Sequence, residues 1–323
     1  MTRTLKLLAQ TSALALTLAL SHVTTTPALA EDIAAAQDHT LVKYRSEVID
    51  GVKVAYREAG DPANPTILLL HGFPTSSHMF RDLIPMIAND WHVIAPDYPG
   101  YGASDMPLVD EFDYTFDTIA AMMTELVDRK GVDTFAVYLM DYGAPVGFRM
   151  FEADPQRISA FVIQNGNAYE EGLLEFWDPL RAYWADPSEE TAALLRGFLG
   201  IEGTKWQYQT GMQFPERVSA DNYAHVQYGL DRPGNQEIQL ALFLDYGTNP
   251  GRYPTWQRLF REHRPPALLM WGKNDPIFPE EGAHPYKRDL KDLEFHILDT
   301  GHFALEEYGK AIAERIIALK DRL

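Results

Sequence analysis

Asp141, Asp275 and His302 are far apart in the sequence, yet they are the residue types that covalent hydrolysis by a carboxylate nucleophile requires. Asp141 lies in Ala136-Val137-Tyr138-Leu139-Met140-Asp141-Tyr142-Gly143-Ala144-Pro145, where an apolar run that reads as a buried strand meets an acid and then a helix. A sharp strand-to-helix turn of this kind lifts one side chain above the sheet in a strained conformation. The residue two places later must then be small, as Gly143 is. Ser is the common occupant of such an elbow, and here the position holds Asp. Asp275, in Trp271-Gly272-Lys273-Asn274-Asp275-Pro276, follows a later strand, where its carboxylate can accept the ring N–H of a histidine and fix the tautomer. His302, in Asp299-Thr300-Gly301-His302-Phe303, comes just after the last strand. The order is nucleophile, acid, base, with intervals of 134 and 27 residues. Each residue alone is more often structural, since an Asp after a strand commonly caps a helix; order and context together give the set its weight. In His71-Gly72-Phe73-Pro74 a loop leaves another strand, so the backbone N–H groups of Phe73 and Tyr142 can meet a developing oxyanion. His71 comes too early in this order to be the base and reads as structural.

The elements that must position these residues are legible as short apolar runs separated by helical periodicity. Leu41 to Gly60 alternates partially around Asp50-Gly51 and predicts a β-hairpin. Thr66–Leu70 is continuously apolar, as in a strand buried on both faces, and His92–Pro96, Phe135–Met140, Ile158–Gln164, Ala267–Trp271 and Leu293–Leu298 read alike. Helical-period segments Met79–Ala88, Phe116–Lys130 and Phe303–Lys320 alternate with them, which predicts a doubly wound, mostly parallel α/β sheet. About 100 residues separate the strand ending near Gly166 from the one starting near Pro266, where such connections run roughly 2–6 residues. The 96 positions 167–262 hold 16 aromatics and helical patterning such as Glu190–Leu199. They predict a helical cap over the carboxyl edge of the sheet, inserted into a core made of 31–166 and 263–323.

Residues 1–30 have a basic start (Arg3, Lys6), an apolar run from Leu7 to Leu20 and a small-residue end at Ala28-Leu29-Ala30. This layout predicts a signal peptide and an exported protein, periplasmic or secreted. The 323 residues are 46% hydrophobic and 23% charged, as in a globular chain with a packed core. A net charge of -18 repels phosphate backbones and anionic headgroups, which excludes a nucleic-acid partner and, once the leader is removed, a membrane partner. Without cysteine there is no disulfide, thiolate metal site or Cys nucleophile. The Gly-rich run Ala95 to Ser104 lacks the GxGxxG pattern, and neither metal-ligand spacing nor a phosphate loop is present. The expectation is therefore an enzyme without a cofactor or metal; its oligomeric state is open.

Five segments, HGFPTSSHMFRDLIP, APDYPGYGASD, LMDYGAP, GKNDPIF and DTGHFALEE, resemble the α/β-hydrolase superfamily, in the branch that holds epoxide hydrolases and haloalkane dehalogenases. The resemblance spans nearly the whole chain after the leader. It implies the α/β-hydrolase fold with an inserted cap and a covalent alkyl-ester mechanism. Attack by a carboxylate on an acyl group would give an anhydride, so the substrate should carry a strained C–O or activated C–halogen bond. The resembled dehalogenases place Trp after the nucleophile and Asn after the HG of the oxyanion motif; here those positions are Tyr142 and Phe73, which weakens that reading. Fluoroacetate-type members carry Arg where Tyr142 stands, so a small anionic substrate is disfavoured. Epoxide hydrolases resemble this chain in their cap tyrosines. Tyr246, 29 residues before Asp275, fits one of them, and Tyr183 is taken for the other because Leu180 occupies the first position expected. Ordinary packing is the competing account of each tyrosine. Leu139, two before Asp141, departs from the Gly of many epoxide hydrolases. The first expectation is an epoxide hydrolase acting on a small apolar substrate with water, the second a haloalkane dehalogenase, and the third a ligand-binding protein on a hydrolase scaffold.

Overall fold

The computed structural model describes residues 41–323. The expected leader, residues 1–30, and the first ten residues assigned to the core lie outside the described residues. The chain opens with a hairpin of β1 (Lys43–Ile49) and β2 (Val52–Ala59), antiparallel, with Ile49 opposite Val52. Asp50 and Gly51 both take positive φ, +50° and +82°, which is the primed turn an Asp-Gly pair favours because its twist matches that of the strands. β1 is the outer strand and most of its residues are exposed.

Six parallel strands follow: β3 (Thr66–Leu70), β4 (His92–Pro96), β5 (Phe135–Met140), β6 (Ile158–Gln164), β7 (Ala267–Gly272) and β8 (Leu293–Leu298). The sheet order is β1-β2-β4-β3-β5-β6-β7-β8. β3, β4 and β5 are buried at every position, because helices cover both faces and leave no side for polar alternation. Outside the insertion these helices are α1 (Leu83–Ile87), α2 (Phe116–Arg129) and α3 (Gly143–Ala153), with α10 (Tyr286–Asp289) and α11 (Leu305–Leu319) near the carboxyl end. α2 begins where Thr115 accepts a hydrogen bond from the N–H of Thr118, with Asp117 in its first turn and Arg129 in its last. Its buried stripe of Phe116, Ile119, Met123 and Leu126 faces inward, each side chain contributing roughly 1.5–3 kcal/mol by leaving water.

Between β6 and β7 the chain forms α4 (Asp178–Ala185), α5 (Glu189–Arg196), α6 (Ile201–Gln209), α7 (Ala220–Leu230), α8 (Asn235–Asp245) and α9 (Asn249–His263). Phe176, Leu180 and Gln207 of this insertion share a cavity with Phe73 and Asp141, which follow the carboxyl ends of β3 and β5. The insertion therefore covers that edge. The order of winding also reverses between β3 and β5, since the chain goes from β3 to β4 on one side and then returns to β5 on the other. In open α/β sheets a crevice forms at that reversal.

Candidate active site

Asp141 has φ +52°, a left-handed conformation that is strained for a non-glycine residue and is held here by its surroundings. Its N–H donates to Asn165 O at 3.1 Å, and its carbonyl accepts from Ala144 N at 3.0 Å as α3 begins. The turn passes so close to β3 that a Cβ on Gly143 would lie 2.3 Å from Leu70 O. Opposite it, a Cβ on Gly72 would lie 2.3 Å from the Asp141 Cβ. Glycine at both positions lets the elbow and the loop after β3 touch.

This contact brings two backbone donors to the carboxylate. Asp141 Oδ1 accepts from Phe73 N at 2.7 Å and from Tyr142 N at 2.5 Å. Oδ2 has no hydrogen bond among the described residues, and His302 Nε2 lies 3.8 Å from it. The two oxygens are thus differentiated: one sits between paired amides and the other is free to react. His302 Nδ1 is 2.7 Å from Asp275 Oδ2, and its Nε2, though buried, has no partner among the described residues. With Nδ1–H donated to Asp275, Nε2 is the basic nitrogen, turned toward Asp141. The imidazole stacks on Phe278 with ring centroids 5.6 Å apart.

Asp275 is held from several sides. Its Oδ1 accepts from Ile277 N at 2.8 Å, and its Oδ2 also accepts from Asn165 Nδ2 at 2.9 Å. Asn165 follows β6, has φ +41°, and accepts from Gly272 N through its own Oδ1 at 2.8 Å, so one side chain ties together the ends of β6 and β7. The sequence reading missed this residue. Its signal is the run Gln164-Asn165-Gly166-Asn167, where an apolar strand turns polar at the catalytic edge. Gln164 Nε2 in turn donates to His302 O at 3.0 Å.

Burial pushes the Asp141 carboxyl up to about 6, against the pull of His302 and of the two amides. Burial drives the His302 imidazole down, but Asp275, by charge and by hydrogen bond, together with the charge of Asp141, outweighs it and leaves the ring above its ordinary value. His71 is different. Burial lowers it to about 4 despite Asp97, and its ring contacts are Gly72 O at 3.0 Å and Tyr98 N at 3.2 Å. A neutral imidazole donating to one and accepting from the other makes His71 a brace for the loop that carries Phe73.

The cavity above Asp141 is narrow, about 30 Å³, and mostly aromatic or aliphatic. Tyr142 and Tyr246 line it with buried hydroxyls; that of Tyr142 has no partner among the described residues, and that of Tyr246 lies beside the hydroxyl of Tyr253. Burial raises both hydroxyls well above the ordinary value, so each is a proton donor at neutral pH. Trp177, the one indole on the wall, commits its N–H to Ile277 O at 2.7 Å. Tyr183 is a correction to expectation: it is buried on α4 but does not line the cavity, whereas Leu180 does. Three residues along a helix turn a side chain by about 300° and advance it about 4.5 Å, which here is enough to leave the wall. Gln207, which the sequence reading did not single out, lines the cavity from α6.

Residues 65–308 match the model of the family described as the alpha/beta hydrolase fold. The chain is similar to an uncharacterized hydrolase of Saccharomyces cerevisiae, 44% identical over 280 residues, covering 85% of this chain and 96% of that protein. It is 27% identical over 300 residues to haloalkane dehalogenase 2 of Mycobacterium tuberculosis, covering 87% of this chain and 96% of that one. The solved structure of an epoxide hydrolase without ligand matches with a TM-score of 0.67 at 20% identity, covering 86% of this chain and 98% of that one. At that identity the likeness is one of fold.

Proposed function

This chain belongs to the α/β-hydrolase fold family, and from that premise we propose that it is an epoxide hydrolase that opens small epoxides to diols through an ester on Asp141. The observation that carries the reading is the split carboxylate, with Oδ1 between the amides of Phe73 and Tyr142 and Oδ2 unbonded beneath an apolar wall. Oδ2 attacks an epoxide carbon and the ring C–O bond breaks. The departing alkoxide takes the proton of Tyr246, which leaves a hydroxyalkyl ester whose carbonyl oxygen is Oδ1. His302 Nε2 then removes a proton from water, and the water oxygen attacks Cγ of that ester. The tetrahedral oxyanion on Oδ1 is stabilised by the same two amides, and Asp275 stabilises the imidazolium. Collapse releases the diol and restores the carboxylate, and the imidazolium proton returns to the tyrosinate by way of solvent.

An alkoxide leaving group needs a proton donor, whereas a halide needs only N–H groups around it. The wall includes two tyrosines, and its indole N–H is already committed. Haloalkane dehalogenation is the second reading, favoured by the relative that carries that name. The test uses His302→Ala, which blocks the second half-reaction. After incubation with styrene oxide, an aliphatic epoxide and a bromoalkane, intact mass and peptide mapping should find a hydroxyalkyl adduct on Asp141. A plain alkyl adduct establishes the second reading instead. No adduct, together with wild-type protein inactive on the same panel, overturns both and favours a ligand-binding role. Export through the leader, as a periplasmic or secreted enzyme, is part of the same proposal and is checked by fractionation and N-terminal sequencing of the mature protein.

A further inference from the structure

Besides Asp141, the side chains lining the cavity include three that carry polar groups near it: the hydroxyls of Tyr142 and Tyr246, the latter beside Tyr253, and the carboxamide of Gln207. The two tyrosines flank the nucleophile, with ring centroids 6.1 Å apart. Gln207 comes from a different direction, on α6 in the cap, beside a wall that includes Phe176, Leu195 and Phe198. It is 3% exposed, and its Nε2 has no hydrogen-bond partner among the described residues. A buried N–H without an acceptor has lost its water and gained nothing in return, and Leu or Met would fill the same volume without that deficit. Such a group fits a site that a ligand completes.

The chemistry of the ligand follows from the donor. A carboxamide is neutral, presents two N–H groups and one carbonyl oxygen, and matches a neutral oxygen with lone pairs. The cavity wall includes no cation, and the carboxylate of Asp141 occupies the floor, so an anionic group has nothing to neutralise it. We propose that Gln207 is a specificity residue that holds an ether, hydroxyl or carbonyl oxygen of the substrate, and that the enzyme's substrates are small oxygen-functionalised epoxides rather than hydrocarbon epoxides. The epoxide half of this statement rests on the function proposed above; the oxygen-binding half does not.

The experiment compares methyl glycidyl ether with 1,2-epoxypentane, which differ only by an ether oxygen in place of a methylene. Wild-type kcat/KM should favour the ether by about tenfold, chiefly through KM, because the hydrocarbon leaves Gln207 unpaired. Gln207→Leu should cross the two values, lowering the ether and raising the hydrocarbon. Misfolding cannot produce changes in opposite directions. Equal loss on both substrates would make Gln207 a leaving-group donor or a structural residue and overturn the proposal. Binding of the corresponding diols, 3-methoxypropane-1,2-diol and pentane-1,2-diol, read by thermal shift on wild type and Gln207→Leu, separates the two claims. No preference for the methoxy diol overturns the assignment of Gln207, whatever turnover shows. A preference that Gln207→Leu removes, with no turnover of either epoxide, leaves the oxygen subsite standing and sinks the epoxide reading.

Discussion

The floor and the wall of the cavity are built on opposite principles. On the floor the side-chain polar atoms are committed except Asp141 Oδ2 and His302 Nε2, which face each other at 3.8 Å: Asp275 accepts from His302, Asn165 and the backbone of Ile277, while Asp141 Oδ1 accepts from two amides. These groups sit just past strand ends, where the sheet's own hydrogen bonding fixes the backbone. On the wall, contributed largely by the cap, the hydroxyl of Tyr142 and Nε2 of Gln207 have no partner among the described residues. The floor is organised by hydrogen bonds of its own; on the reading proposed above, a substrate completes the wall. Such a division lets one set of strands keep the reaction while the cap decides which molecule undergoes it.

Breaking the floor should have the largest effect. Asp141→Asn removes the nucleophile but keeps the shape, and steady-state turnover should fall at least about 10⁴-fold. On the wall, Tyr246→Phe deletes one proton donor. Its kcat on an epoxide should fall about 10²-fold, with little change on a bromoalkane, which needs no protonation. Equal losses on both would make Tyr246 a packing residue. Asn165→Ala lies beneath the floor and touches no substrate. It removes one of the two hydrogen bonds that Asp275 Oδ2 accepts, leaving only that from His302, and it removes the tie to Gly272, so kcat should drop about tenfold with KM nearly constant. A change confined to KM would place its effect in the cavity instead. The pH profile should be gentler still: kcat/KM declines as pH falls through about 6, because the raised Asp141 carboxyl takes up a proton and ceases to be a nucleophile.

The effect on stability has the opposite sign. Burial makes the folded chain hold the Asp141 proton more tightly than the unfolded chain, so the ionised carboxylate destabilises the fold above about pH 6, and the penalty vanishes below the ordinary carboxylate value. Asp141→Asn should therefore be more stable than wild type at pH 8, by on the order of 2–3 kcal/mol, with the gain shrinking as the pH falls toward 4. Melting curves at the two pH values check this. A variant less stable than wild type at pH 8 would mean that the carboxylate's contacts with the two amides and His302 outweigh its desolvation.

Much of the floor was legible because its signals are local. The runs His92–Pro96, Phe135–Met140, Ile158–Gln164 and Leu293–Leu298 are strands with those same bounds; the first three are almost wholly buried and mostly apolar because both their faces are covered, whereas the last is only half-buried at every position and carries Glu294 and His296. Asp50-Gly51 specified its turn through backbone preference alone. Asp141, Asp275 and His302 stood out because each follows such a strand, and the structure brings the three together. Asn165 also follows a strand, but an asparagine there carries no distinctive pattern, and its partners lie more than 100 residues away.

The wall was legible in composition and not in detail. An aromatic-rich insertion announced an apolar cavity, but which residue of a short amphipathic helix faces inward depends on how that helix is rotated against its neighbours. Leu180 lines the cavity and Tyr183, one turn on, does not. Gln207 looks in the sequence like any polar residue of a surface helix; only packing buries it with its nitrogen unmet. The sequence by itself determined the sheet, the elbow and the residue types that follow its strands, because hydrophobic runs and turn preferences act over a few residues. Tertiary structure alone decided which oxygen of Asp141 is held and which is free, and which cap side chains line the cavity, because those depend on contacts between segments that only folding brings together.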